Sequence, residues 1–113
     1  MTKVKFIKNN NNYVALHVSG HTGYGEEGSD ILCASISSIV QAGALGILKV
    51  LNVDAAIERD DEKGLFKIQL PCNLGDKYNE TNIIFETIKV SLLDLTQGYK
   101  KYLKLEEVCD DVY

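Results

Sequence analysis

The chain has 113 residues, of which 45% are hydrophobic and 25% are charged, so it is long enough for one domain with one hydrophobic core. Its 16 acidic and 12 basic residues give a net charge of −4, and Arg59 is the single arginine. This composition excludes an intrinsically disordered chain and argues against a protein that follows nucleic-acid phosphates with a basic stripe.

The first predicted element is a β-hairpin. Residues 3–8 and 13–18 alternate between apolar and polar side chains, which is typical of strands. Four asparagines at 9–12 separate the two runs, and asparagine favours turns because it tolerates left-handed backbone conformations. In the second strand we place three apolar residues on one face: Val14, Leu16 and Val18.

A glycine-rich loop then leads into a long helix. Residues 19–29 carry four of the nine glycines. Ser29 or Asp30 can cap a helix that starts directly afterwards and continues for about twenty residues. Gly43 and Gly46 lie inside this helix, where each costs roughly 1 kcal/mol relative to alanine. We therefore expect another part of the structure to pack closely against them.

The second half of the chain predicts another hairpin, another helix and a last strand. Residues 53–59 and 65–70 alternate around a polar turn, and a helix follows over about 80–97 with Asn79 as its cap. A strand over about 99–105 precedes an acidic tail. The order β-β-α-β-β-α-β indicates an α+β fold in which a single mixed β-sheet of about five strands packs with two helices.

The sequence predicts a cytoplasmic protein without a membrane span, an export signal or a cofactor. No apolar run approaches the ~20 residues that cross a bilayer, and the N-terminus leads into only two consecutive apolar residues. The cysteines Cys33, Cys72 and Cys109 form no Cys-x-x-Cys pair, and only two histidines are present. We therefore expect free thiols and no zinc site. The length of the chain predicts one domain over residues 1–113.

The strongest candidates for chemistry are Cys33 and His21. Cys33 falls in the first turn of the predicted helix, where backbone N–H groups and the helix dipole stabilise a thiolate. His21 starts the flexible loop, which is long enough to fold its imidazole back onto that helix end, and such a pair supplies a nucleophile and a general base or acid. Asp30 fixes the turn that presents Cys33, although its charge opposes thiolate formation. Ser37 lies one turn further along the same face.

Other interpretations of these residues stay open. Cys33 is alternatively a small buried hydrophobic residue, since free cysteine is among the most buried residue types. His17 lies inside an alternating strand, which favours a place on the sheet surface. Neither Cys72 nor Cys109 lies at the N-terminus of a predicted helix, which favours inert thiols. Residues 23–28 match G-x-G-x-x-G, but the helix begins only after them and their two glutamates repel phosphate. We therefore expect no dinucleotide at this loop.

The loop and the start of the helix closely resemble the signature of the ribosomal-processing cysteine protease family. The matching residues are Ser19-Gly20-His21-Thr22-Gly23-Tyr24-Gly25, then Gly28-Ser29-Asp30-Ile31-Leu32-Cys33-Ala34, and Ser37. The resemblance implies that Cys33 is the nucleophile and His21 its catalytic partner, with Asp30 and Ser37 as supporting residues. Thr22 departs from the family pattern, since many relatives carry alanine there.

The resemblance also implies a substrate and a partner. Members of the family are homodimers that remove a short N-terminal extension from large-subunit ribosomal protein twenty-seven. We therefore expect this substrate, a homodimer that gives the small-residue helix a packing partner, and no direct nucleic-acid binding. The alternative function is a non-enzymatic, dimeric, ribosome-associated assembly factor, whereas a thiol redox protein would need a resolving cysteine nearby.

A moving substrate loop is the last expectation. Four glycines in residues 20–28 give this segment many accessible backbone states, so we expect residues 22–28 to be mobile in the free protein and to close over a bound peptide. The alternative is a flexible connector with no closing role. Tyr24 is the side chain expected to cover the peptide. The residues assigned to this substrate loop are Gly20, Gly23, Tyr24, Gly25 and Gly28.

Overall fold

The computed structural model describes residues 1–26 and 30–109. Its helices and strands are β1 (Thr2–Asn9), β2 (Asn12–Ser19), α1 (Ile31–Leu45), β3 (Ala56–Asp60), β4 (Leu65–Gln69), α2 (Tyr78–Thr96) and β5 (Leu103–Cys109). A π-helical turn, Gly46–Val50, extends α1, and a 3₁₀ turn, Gly75–Lys77, precedes α2. The predicted order β-β-α-β-β-α-β is therefore confirmed.

The five strands form one mixed sheet in the order β3-β4-β2-β1-β5. Adjacent strands in the sheet are antiparallel, except for β1 and β5, which pair in parallel. Asn10 and Asn11 turn the first hairpin with φ angles of 52° and 65°, the left-handed region that asparagine tolerates. β2 thus lies in the middle of the sheet, and it delivers the chain to the glycine-rich loop.

The main core lies between the sheet and the two helices. All three contribute buried side chains to it, among them Val4, Phe6, Leu16 and Ile68 from the sheet, Leu32, Ile36 and Val40 from α1, and Phe85, Ile88 and Leu92 from α2. Each side chain of this kind contributes roughly 1.5–3 kcal/mol when it is fully buried. This packing holds the first turn of α1, which carries Cys33, in a fixed place beside the sheet.

Helix α2 begins earlier than expected, and strand β5 begins later. α2 starts at Tyr78 after the 3₁₀ turn, so Asn79 lies inside the helix and is not its cap. β5 spans Leu103–Cys109 because it pairs in parallel with β1, and the acidic residues expected in a tail at Glu106 and Glu107 belong to this strand. Pairing with a distant strand overrides local propensity here.

The segment formed by α1 and its π-helical extension is long and apolar enough to cross a membrane. Ile31–Val50 has 20 residues and a mean hydropathy of 1.9, which corrects the expectation that no segment approaches that length. In the fold, Leu32, Ile36 and Val40 of this segment are buried in the main core. A core helix of a soluble protein has the same length and composition, so length and composition alone do not make it a membrane span.

The two glycines of this segment are explained by α2 of the same chain. A Cβ atom on Gly43 would lie 2.3 Å from Cδ1 and 2.8 Å from Cγ1 of Ile88. A Cβ atom on Gly46 would lie 3.3 Å from Cδ1 of Ile84. The close packing inferred from the sequence is therefore present within one chain, and a second copy is not required to account for it.

We expect Gly43→Ala to destabilise the fold by roughly 1 kcal/mol or more in chemical denaturation. Alanine gains about 1 kcal/mol of helix propensity, but its methyl group must displace Ile88, which is buried and has little room to move. Adding Ile88→Val, which removes Cδ1, should recover part of the loss. Gly98→Ala is the matched control, because a Cβ atom there meets nothing within 4 Å. A Gly43→Ala protein as stable as the original would contradict this packing.

Candidate active site

A cavity of about 420 Å³ lies between the glycine-rich loop, the start of α1 and the β3–β4 hairpin. This volume is within the range of roughly 300–1,000 Å³ that is typical of ligand sites. Seven of the residues singled out in the sequence line it: Gly20, His21, Gly23, Gly25, Asp30, Cys33 and Ser37. Both predicted catalytic residues and both predicted supporting residues therefore face one cavity.

Asp30 connects the loop to the helix. Its Oδ1 accepts hydrogen bonds from the backbone N–H groups of Leu32 at 2.9 Å and Cys33 at 3.0 Å, which confirms the predicted helix cap. Its Oδ2 accepts from the backbone N–H of Gly25 at 3.0 Å and from the hydroxyl of Thr22. The carboxylate thus fixes the turn that carries Cys33 and also the loop that follows His21.

These hydrogen bonds keep Asp30 ionised. Burial alone would raise the pKa of this carboxyl group, whose residue is only 7% exposed. The hydrogen bonds from the Thr22 hydroxyl and from the backbone of Cys33, Gly25 and Leu32 outweigh burial and lower the pKa to about 2. The site therefore holds a fixed negative charge at neutral pH.

The Cys33 sulfur lies against Thr22. The backbone N–H of Thr22 donates to Cys33 Sγ at 3.4 Å, and Sγ is also 3.4 Å from the Thr22 hydroxyl oxygen. Cys33 is half-buried and lines the cavity, so it is not the buried hydrophobic residue of the alternative interpretation. Cys33 thus lies in the first turn of α1, and its sulfur accepts a hydrogen bond from the N–H of Thr22.

His21 is held by the turn between β3 and β4. Its Nε2 lies 2.8 Å from the backbone carbonyl oxygen of Glu62, and since a carbonyl oxygen only accepts, Nε2–H is the donor in this contact. Gly64 allows the turn to approach: its φ is 61°, and a Cβ atom there would lie 2.6 Å from the carbonyl oxygen of Gly20. Sequence reasoning missed this turn, because nothing local connects it to the loop.

A set of hydrogen-bonded polar side chains lines another part of the cavity wall. Ser37 Oγ accepts from Gln41 Nε2 at 2.5 Å, and Gln41 Oε1 accepts from Arg59 at 3.4 Å. Arg59 also pairs with Asp61 at 2.8 Å. The sequence singled out Ser37 but not Gln41 or Arg59; the signal available for Arg59 was that it is the only arginine.

Tyr24 contacts two other tyrosines. Its ring meets those of Tyr99 and Tyr102 edge-on, with centroid separations of 5.2 Å and 5.3 Å. Aromatic pairs of this geometry contribute about 0.5–1.5 kcal/mol beyond the free energy gained from the area they bury.

Gly28 belongs to the predicted substrate loop but lies outside the described residues, as does the part of the predicted mobile segment at residues 27–28.

The remaining candidates are placed away from this chemistry. Cys72 and Cys109 are exposed, and neither lines the cavity. His17 is half-buried in β2, where burial and the nearby Lys67 and Lys5 lower its pKa and Glu58 opposes the shift. Across residues 1–26 and 30–109, no cluster of three or more His, Cys, Asp or Glu side chains is arranged to hold a metal ion.

The chain is similar to known proteases in sequence and in fold. The family model for cysteine protease Prp matches residues 1–104. The ribosomal processing cysteine protease Prp of Staphylococcus aureus (strain Mu50 / ATCC 700699) is 28% identical over 88 residues, which cover 78% of this chain and 80% of that protein.

Two crystal structures of the essential ribosomal processing protease Prp from S. aureus extend this similarity. The complex with a covalently linked product peptide has a TM-score of 0.83 and 27% identity, over 95% of this chain and 99% of that chain. The complex with a substrate peptide has a TM-score of 0.80 and 25% identity over the same shares.

Proposed function

The chain belongs to the cysteine protease Prp family, and we propose that it removes the N-terminal extension of large-subunit ribosomal protein twenty-seven through Cys33 and His21. Its enzyme class follows from the family, whose members are cysteine peptidases. The observation that carries the proposal is the meeting of Cys33, His21 and the ionised Asp30 at one cavity. The peptide complexes of the S. aureus relative support a peptide substrate.

The proposed reaction begins with proton transfer from the Cys33 thiol to His21. The thiolate then attacks the scissile carbonyl carbon, and His21 gives the proton to the leaving amine as the C–N bond breaks. A thioester joins Cys33 to the N-terminal fragment of the substrate. Water attacks this thioester, His21 accepts the proton from the water, and the fragment leaves as a carboxylic acid while Cys33 regains its proton.

Substrate binding completes the catalytic pair in this proposal. In the free protein the imidazole contacts the carbonyl of Glu62 and the Cys33 sulfur contacts Thr22. Gly20 and Gly23 flank the histidine with φ angles of 86° and 74°, conformations that favour glycine. A peptide that enters the cavity shifts this loop and brings His21 within hydrogen-bond reach of Cys33.

Loop closure predicts a change in amide exchange. A non-cleavable peptide bound to the protein should slow hydrogen exchange of residues 22–26, because closure orders the loop over the peptide. Amides of the first turns of α2, where no residue lines the cavity, are the internal control and should exchange at the same rate in both states. Equal exchange rates for residues 22–26 with and without peptide would rule out loop closure and support a flexible connector with no closing role.

The substrate is tested by incubating the purified protein with a peptide that spans the N-terminal extension and the first residues of the mature ribosomal protein. We expect one cut, at the end of the extension, and no cut in a scrambled peptide of the same composition. An intact extended peptide would refute the proposed substrate. The alternative of a non-enzymatic assembly factor is set aside, because the family consists of cysteine proteases.

A homodimer, a cytoplasmic location and the absence of direct nucleic-acid binding complete the proposal. The net charge of −4 supports the last of these. Large apolar side chains on the helical segments are exposed in the single chain and would suit an interface, among them Leu45, Val50 and Ile83. Sedimentation analysis at micromolar concentration distinguishes one copy from two.

A further inference from the structure

Thr22 is buried between the carboxylate of Asp30 and the sulfur of Cys33. The residue is only 2% exposed. Its hydroxyl donates to Oδ2 of Asp30, its oxygen accepts from the backbone N–H of Tyr24 at 3.2 Å, and the Cys33 sulfur lies 3.4 Å from the same oxygen. One hydroxyl group thus has three partners.

The direction of each hydrogen bond follows from the partners. A hydroxyl group has one proton and two lone pairs. An ionised carboxylate only accepts, so the proton of Thr22 lies toward Asp30, and the N–H of Tyr24 occupies one lone pair. The second lone pair faces Cys33, which must therefore donate its S–H.

We propose that Thr22 is a positioning residue that holds Cys33 in its protonated form until substrate binds. The inference rests on the proposed role of Cys33 as the nucleophile. A thiolate would face the lone pair of the Thr22 oxygen. To donate to that thiolate, the hydroxyl must turn away from Asp30 and give up a charge-assisted hydrogen bond, which is about twice as strong as a neutral one.

The arrangement couples deprotonation of Cys33 to the position of the loop. The Oδ2 atom that receives the Thr22 proton also accepts from the N–H of Gly25, and the Thr22 oxygen accepts from Tyr24. A peptide that shifts residues 22–25 therefore disturbs the hydrogen bonds that keep the sulfur protonated. The thiol proton then passes to His21, as in the proposed reaction.

The test measures alkylation of Cys33 by iodoacetamide as a function of pH. Cys72→Ala and Cys109→Ala are present in every protein, so that only Cys33 reacts. Thr22→Val has nearly the size of threonine but no hydroxyl. We expect its alkylation profile to move to lower pH and its rate at neutral pH to rise on the order of three- to tenfold, the equivalent of one lost hydrogen bond. Thr22→Ser should restore the original profile.

A purely structural role for Thr22 predicts a different result. It would lower the thermal stability of both variants without a shift of the alkylation profile, and an unchanged profile, or one moved to higher pH, would overturn the inference. Thr22→Ala, which also lacks the hydroxyl, decides the question if the valine variant does not fold. Alkylation needs no peptide, so a shifted profile in a protein that cuts no peptide would refute the proposed substrate and leave this inference standing.

Discussion

Replacing Cys33 with alanine is expected to lower peptide cleavage by roughly 10³-fold or more, because it removes the atom that attacks the peptide bond. The fold should hardly change. Cys33 is half-buried, and its sulfur takes part in two long hydrogen bonds of 3.4 Å, so a methyl group in its place costs little packing. Cleavage is measured with the extended peptide, and thermal unfolding by circular dichroism reports the fold.

The other two cysteines provide the matched controls. Cys72 and Cys109 are exposed, and neither lines the cavity of the active site. Cys72→Ala and Cys109→Ala should therefore retain the original rate. Undiminished cleavage by Cys33→Ala, or loss of cleavage in a folded Cys72→Ala protein, would show that another residue is the nucleophile.

Asp30→Asn should lower both stability and turnover. At neutral pH we expect the free energy of unfolding to fall by about 2 kcal/mol, because each pKa unit is worth about 1.4 kcal/mol and the pKa is lowered from 3.8 to about 2. Turnover should fall on the order of 10²-fold, since the amide cannot hold both the loop and the helix start as the carboxylate does.

The pH dependence of this stabilisation has a definite sign. The pKa of Asp30 is lower in the folded chain than in the unfolded one, so the unfolded chain binds the proton first. The contribution is complete above pH 3.8 and is lost as the pH falls toward about 2. Urea unfolding at several pH values should show the original protein and the asparagine variant converging in acid.

Asp61→Asn is the control for Asp30→Asn. Its carboxylate pairs with Arg59 in an exposed position, so its removal should change the stability little. If Asp30→Asn has the stability and turnover of the original protein at neutral pH, Asp30 neither caps the helix nor supports the site.

Local sequence signals predicted the elements of the fold, but not the pairing of the distant ones. The asparagine turn, the cap at Asp30 and the long first helix are written in neighbouring residues. The position of β5 is set by its parallel pairing with β1, which lies about a hundred residues earlier in the chain. No local pattern contains that information.

The face of β2 shows the same limit at the scale of one residue. Strict alternation placed Val14 with Leu16, but the pairing of β1 with β2 is irregular between Ile7 and Lys8. Tyr13 therefore joins the main core, while Val14 packs with Ile7 in a second cluster. A shift of one residue moves side chains to the opposite face of a sheet, and the sequence carries no mark of it.

The site was predictable where its residues are close in sequence. His21, Asp30 and Cys33 lie within one loop and the helix that follows it, so spacing and helix-cap chemistry identify them. The carbonyl of Glu62 that holds the imidazole comes from 41 residues further along. Thr22 was visible only as a departure from the family pattern, because its contacts with the carboxylate and the thiol depend on how the loop folds.

Trapping the covalent intermediate tests the role of Cys33 as the nucleophile most directly. The protein is mixed with the extended peptide, quenched in acid after less than one turnover, digested and analysed by mass spectrometry. We expect a thioester that adds the mass of the N-terminal fragment less one water, located on Cys33 and released by hydroxylamine. Cleavage without this adduct, or an adduct on Cys72 or Cys109, would show that Cys33 is not the nucleophile.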